Sequence, residues 1–125
     1  MTGHIHWANE VPDDWPAVLA ELTRAFQLSR RAAQDEESFA YVVRQDDLLG
    51  RSGSGNAIIA CGLLSAARTA ALEGARKGWT ANVVAYDDES DRSAAEQWAR
   101  RLLEAGDVNG ELIRVGSGHI GKTLA

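Results

Sequence analysis

The 125-residue chain holds one cysteine, Cys61. No intrachain disulfide can form, and a reducing, cytoplasmic location is expected. An excess of positive charge is also missing. Thirteen Lys and Arg stand against eighteen Asp and Glu, for a net charge of −5, whereas nucleic-acid binders normally present a basic face. No apolar run approaches the roughly 20 residues of a membrane span, so neither nucleic acid nor membrane is an expected partner. The opening MTGHIHWANE has neither the basic nor the apolar region of a signal peptide, and Met1 suggests a native start. The three histidines and the cysteine show no metal-ligand spacing, so no metal is expected. His4 and His6 read as solvated or strand-edge residues. No repeat, low-complexity tract or linker breaks the chain, and residues 1–125 are read as one domain with a modest core.

What is present alternates. HIHWA is a short strand. VPDDWPAVLAELTRAFQLSRRAA is helical, because Trp15, Val18, Leu19, Leu22, Ala25, Phe26 and Ser29 recur at three- and four-residue steps. Asp13 is its expected N-cap, and Pro16 fits the first turn. FAYVV is a strand and RQDDLLGRSGSGN a loop. AIIACGLLSAARTAALEGARK is a helix apolar or small almost all round, which predicts burial on more than one side. WTANVVAY is a strand. SAAEQWARRLLEAG is a helix with a Ser93–Glu96 capping box and Gly106 as its stop, and ELIRV is the last strand. The β-α-β-α-β-α-β order predicts an α/β fold: about four parallel strands with right-handed crossovers, half of a doubly wound Rossmann-like sheet.

Two glycine-rich stretches invite a phosphate-binding reading. Residues 116–123, GSGHIGKT, fit G-x-x-x-x-G-K-[ST]. A phosphate loop needs a following helix whose positive end faces the phosphates. Only Leu124 and Ala125 come after Thr123, so the match reads as a glycine-rich exit from the last strand. GRSGSGN does precede a helix. It lacks the G-x-G-x-x-G spacing, with Ile58 at the third glycine position, and Asp46 and Asp47 lie just ahead of it. It reads as a strand-to-helix connection.

Residues 56–87, NAIIACGLLSAARTAALEGARKGWTANVVAYD, resemble the short-chain dehydrogenase/reductase family. That family continues its Y-x-x-x-K-a-a helix through "l-A-l-E-l-a" to "G-I-r-V-N-a-V-a-P-G". Glu73, Gly78, Asn82, Val83, Val84 and Ala85 match without a gap. DDWPAVLAELTRAFQLSRRAA is similar to the helix "e-x-W-x-x-v-l-x-v-N-l-x-x-x-f-x-l-x-r-a-a" upstream, and NGELIRVGSGH to the closing "t-G-x-v-i-x-V-d-G-G". HWAN resembles a worn "N-N-A-G".

In the register that this resemblance implies, the family's catalytic Asn, Ser, Tyr and Lys positions fall on Leu22, Asp47, Asn56 and Ala60. An amide cannot give up a proton near neutral pH, and alanine carries no charge or donor. The "P-G" turn beside the nicotinamide has become Tyr86-Asp87. The family's first three strand-helix units, with the pyrophosphate-binding turn, have no counterpart, so no cofactor is expected.

Two functions follow as expectations. One is a non-catalytic assembly subunit, pairing with itself or with a full-length reductase-like partner. The family commonly dimerises through the helices matching residues 14–33 and 57–76, and Leu22, Phe26, Leu63, Ala67 and Ala70 are the interface candidates. The other is a small cofactor-independent enzyme or binding protein for an acyl or polyketide-like substrate. Asp46, Asp47, Asn56, Tyr86, Asp87 and His6 would then approach the carboxyl ends of the strands, with Asp46, Asp47 and Tyr86 as candidate catalytic groups. Trp7, Trp15, Trp79 and Trp98 are read as core or interface residues.

Overall fold

A computed structural model describes residues 3–117. In chain order the elements are β1 (Gly3–Trp7), α1 (Trp15–Gln34), β2 (Ser38–Arg44), α2 (Gln45–Leu48), α3 (Ser54–Lys77), β3 (Ala81–Tyr86), a 3-10 turn (Glu89–Asp91), α4 (Arg92–Glu104) and β4 (Leu112–Val115). The four strands form one sheet in the order β1-β2-β3-β4, parallel throughout. The expected α/β architecture is the observed one. The one-turn helix α2 lies inside the segment expected to be loop.

The period of two along each strand divides the core into two layers. Phe39, Tyr41, Val43, Ala81, Val83 and Ala85 point toward α1 and α3. Ala40, Val42, Val84 and Tyr86 point the other way, onto Ala95, Ala99, Leu102 and Leu103 of α4. Both faces of β2 and β3 are covered, which is why FAYVV and NVVAY read as continuous apolar runs. Each fully buried large side chain here, such as Phe39 or Val84, contributes about 1.5–3 kcal/mol.

The placement of α4 corrects the expectation of uniform handedness. The strands advance in one direction across the sheet, α1 and α3 cross on one face, and α4 crosses on the other. With the usual right hand for the first two crossovers, the β3-α4-β4 connection is left-handed.

Capping also differs from expectation. Asp14, not Asp13, caps α1 by accepting from the Ala17 N–H at 2.9 Å. Asp13 instead reaches across to α3, where its carboxylate accepts from the Gly55 N–H at 2.7 Å. Cβ atoms at Gly53 and Gly55 would come within 3.1 and 3.0 Å of that carboxylate, so the glycines make room for it. Ser93 lies inside α4 and forms no box with Glu96; the reciprocal pair is Asp88 with Asp91 on the preceding 3-10 turn.

Helix α3 buries one side only, through Gly55, Asn56, Ile59, Ala60, Leu63, Ala67, Ala71 and Gly74. By length and composition it is apolar enough to cross a membrane, contrary to the expectation that no run approaches a span. Here that apolar character serves packing on the sheet. Gly74 lies so close to the next strand that a Cβ would stand 2.3 Å from the carbonyl oxygen of Trp79. Gly78 closes the helix in the left-handed region, at φ 90°. One buried and one half-buried amide then anchor the approach to β4. Asn82 donates to the Val108 carbonyl at 2.9 Å and accepts from the Glu111 N–H at 3.0 Å. Asn109 accepts from the Ala81 N–H at 2.9 Å and donates to the Ala71 carbonyl at 2.8 Å.

Candidate functional site

In open parallel sheets ligands bind beyond the carboxyl ends of the strands. Two openings lie there. One, of about 490 Å³, is lined by Trp7, Ala8, Asn9, Glu10, Arg44, Tyr86, Glu89 and Arg92. The other, of about 500 Å³, is lined by Glu10, Val11, Pro12, Arg44, Ser52 and Asn56. Glu10 and Arg44 belong to both, and their ion pair forms the wall between them.

The first opening is built from the ends of three strands and the start of α4. Arg92 holds its guanidinium 4.5 Å above the Trp7 ring and 5.4 Å from the Tyr86 ring, and donates to the Tyr86 hydroxyl at 2.7 Å. Trp7 donates its indole N–H to Glu96 at 3.0 Å. Burial pushes the Tyr86 phenol above its ordinary value, against the opposing pull of Arg92, so Tyr86 is a neutral phenol at physiological pH. Arg44 donates through Nε and Nη2 to both carboxylate oxygens of Asp47, at 3.1 and 2.9 Å. Those hydrogen bonds lead the effects that hold Arg44 charged.

The structure separates the residues expected to converge. Tyr86 faces the α4 side of the sheet, whereas Asn56 lies in the second opening. Asn56 accepts from the Val11 N–H at 2.9 Å and donates to the Ser52 carbonyl at 3.0 Å, tying the β1–α1 loop to α3. Ala60 is core, 1 % exposed. Asp47 is buried against Arg44, whereas Asp46 is partly exposed, 3.5 Å from Arg51. Asp87 packs beside Gly116, where a Cβ would stand 2.5 Å from that of Asp87 and 2.9 Å from the Asp91 carboxylate. The first glycine of the GSGHIGKT pattern therefore sits among acidic side chains; residues 118–123 of that pattern lie outside the described residues.

His6 does not open onto this edge. It is 2 % exposed and bonds Glu21 at 2.9 Å. Glu21 also accepts from the Asn9 N–H at 3.0 Å and from Arg24 Nε and Nη2 at 3.1 and 3.0 Å. Burial lowers the affinity of His6 for a proton, outweighing the bond to Glu21. Burial acts to raise Glu21, but Arg24, the Asn9 N–H and His6 together hold it below its ordinary value. The site is an ionised carboxylate fully satisfied by donors.

A second surface is apolar. Along α1, Trp15, Leu19, Leu22 and Phe26 recur at four- and three-residue steps, and Trp15, Leu19 and Phe26 are 61, 47 and 62 % exposed. Along α3 the outward residues Ile58, Gly62, Ser65, Thr69 and Leu72 keep the same rhythm. Leu22 and Ala70 are half-buried between the helices, but Leu63 and Ala67, expected at an interface, face the sheet and belong to the core. Of the four tryptophans, Trp79 is core, Trp7 is half-buried beneath Arg92, and Trp15 and Trp98 are exposed. Sequence reading did not single out Arg44 and Arg92; the signal was their placement at the end of a strand and the start of a helix.

The arrangement defines an α/β protein with a Rossmann-like, short-chain-dehydrogenase-like fold. A solved structure with that fold is the 3-hydroxyacyl-CoA dehydrogenase type-2 from Mycobacterium avium, with TM-score 0.70 and 15% sequence identity over 89% of this chain and 60% of that one. The chain thus spans about 60% of that protein's length. No family model and no curated protein matches the sequence.

Proposed function

We propose that this chain is a non-catalytic, short-chain-dehydrogenase-like assembly subunit that pairs two-fold with a second copy of itself through the outer faces of α1 and α3. The observation that carries this reading is the pair of seams: large apolar side chains in line on α1, beside an α3 seam that is small at Gly62, Ser65 and Thr69 and flanked by Ile58 and Leu72. A repeat of four and three residues is the spacing of helix-to-helix seams. Large knobs on one helix and small residues on its neighbour make a surface complementary to its own rotated copy.

Antiparallel pairing centred between Leu22 and Thr23 sets Leu19 against Phe26 of the second copy. It also brings the Asp14 end of one α1 to the Arg30–Arg31 end of the other, so the terminal charges are complementary. The amide and methyl at Asn56 and Ala60, and the commitment of Asp47 to Arg44, support the loss of chemistry. A full-length reductase-like protein carrying the same helix pair is the other partner this surface suits.

Light scattering of the chromatographed protein at micromolar concentration tests the reading. A dimer is expected for the unmodified chain, and a folded monomer for Phe26→Asp. A unmodified chain that is monomeric overturns it.

The groove under Arg92 supports a second reading, a cofactor-independent enzyme or binding protein for acyl or polyketide-like molecules. Of the candidate catalytic groups, Tyr86 lines that groove and Asp47 holds the lining Arg44, whereas Asp46 lies outside it. Loss of binding or turnover on replacing Asp46 and Asp47 by alanine would favour it over assembly alone.

A further inference from the structure

His4, Asp35 and Glu37 meet at the amino ends of the strands, away from the groove described above. One ligand atom from each, an imidazole nitrogen and two carboxylate oxygens, lies within 4.8 Å of the others. His4 Nε2 already stands 2.9 Å from Glu37 Oε1. His4 comes from β1, and the two carboxylates come from the α1–β2 turn. Parallel pairing of Gly3 with Ser38 sets His4 beside the start of β2. Asp35 and Glu37 flank Glu36, whose φ of 54° turns the chain from α1 into β2.

The local electrostatics call for a cation. Asp35 is the C-cap of α1, at the negative end of the helix dipole, where positive groups are favoured. Neither Asp35 nor Glu37 is ion-paired with a lysine or arginine among the described residues. Among the described residues, two carboxylates thus converge on an imidazole with no lysine or arginine in ion-pair contact.

We propose that His4, Asp35 and Glu37 form a binding site for one divalent transition-metal ion, with zinc the best fit. An imidazole with two carboxylates suits zinc, whereas magnesium and calcium take six or more oxygen ligands. Tetrahedral bonds of about 2.0–2.1 Å place ligand atoms about 3.4 Å apart. The His4–Glu37 contact therefore opens by a few tenths of an ångström, and Asp35 closes by a side-chain rotation. Three protein ligands leave the fourth position for water. The bound ion would clamp the edge strand β1 to the α1–β2 turn. The site lies apart from the outer faces of α1 and α3, so it stands or falls independently of the assembly reading.

Titration calorimetry of the full chain with zinc tests it. One equivalent is expected to bind, with each of His4→Ala and Glu37→Gln weakening binding at least about tenfold. Asp35→Asn, a change on an exposed turn, is a further variant that spares the strand. Cobalt(II) in place of zinc should give the visible absorption of a tetrahedral ion, lost in His4→Ala. Absence of saturable zinc binding, or binding that survives His4→Ala, overturns the proposal.

Discussion

His6 Nε2 and Glu21 Oε2 lie 2.9 Å apart in the interior, joining the edge strand β1 to the first half of α1. The two side chains are 2 and 5 % exposed, so their pairing is shielded from water and salt. The unfolded chain has no such site. Both groups titrate below their ordinary values in the fold, and each therefore binds protons more readily when the chain unfolds.

Stability accordingly falls with acidity in two stages. His6 contributes stability that is fully present above its ordinary value of 6.5 and is lost as pH drops through its lower folded value. Glu21 adds a second loss below its ordinary 4.5. Urea midpoints measured from pH 7.5 to 5 should decline, and His6→Gln should flatten that slope. Glu21→Leu leaves the Asn9 N–H and His6 without an acceptor and should cost about 1–3 kcal/mol at neutral pH.

Asp13 is expected to matter for α3 rather than for α1. Its carboxylate satisfies the Gly55 N–H at the positive end of a 24-residue helix. Asp13→Ala should destabilise by about 0.5–2 kcal/mol, read by urea denaturation. Asp14→Ala should give a loss of similar size through the start of α1. If Asp13→Ala is silent, the cross-chain cap has no energetic weight.

Two neighbouring substitutions should differ sharply. Gly74→Ala drives a methyl to 2.3 Å from the Trp79 carbonyl oxygen and 2.7 Å from its ring, and should cost about 1–3 kcal/mol or more. Trp79→Phe removes the indole N–H that has no hydrogen-bond partner among the described residues. The loss of packing against Phe39 is offset by removal of an unsatisfied donor, so the net change should stay within about 1.5 kcal/mol. Thermal melts of the two variants check the order.

On the outer face of α3, Ser65→Glu should weaken self-association without lowering the melting temperature of the separated chain, because Ser65 is exposed. Sedimentation across a concentration series measures this. An unchanged association constant would remove α3 from the interface.

The fold was largely legible in the sequence. Apolar runs at FAYVV and NVVAY mark strands buried on both faces, and the three- and four-residue rhythm of α1 marks a helix lying on a sheet. Short-range rules succeeded where the chain contacts itself locally, as with Gly78 at the end of α3. They failed where a side chain serves a distant segment. Asp13 looks like the local cap of α1, yet its partner is 42 residues away. Glu96 looks like half of a capping box, yet it accepts from Trp7 across 89 residues. The candidate sites suffered in the same way. A histidine near the start of a strand gives no sign of whether a carboxylate waits 33 positions later, as Glu37 does for His4, or 15, as Glu21 does for His6.

The sequence by itself determined the order of strands and helices and the two-sided burial of the central strands, because periodicity and glycine placement act over a few residues. Tertiary structure alone decided the face on which α4 crosses, the confinement of α3 burial to one side, and the partners of His4, His6, Asp13 and Arg44. Those depend on which surfaces meet when the sheet assembles, and the free energy of such contacts resides in pairs far apart along the chain.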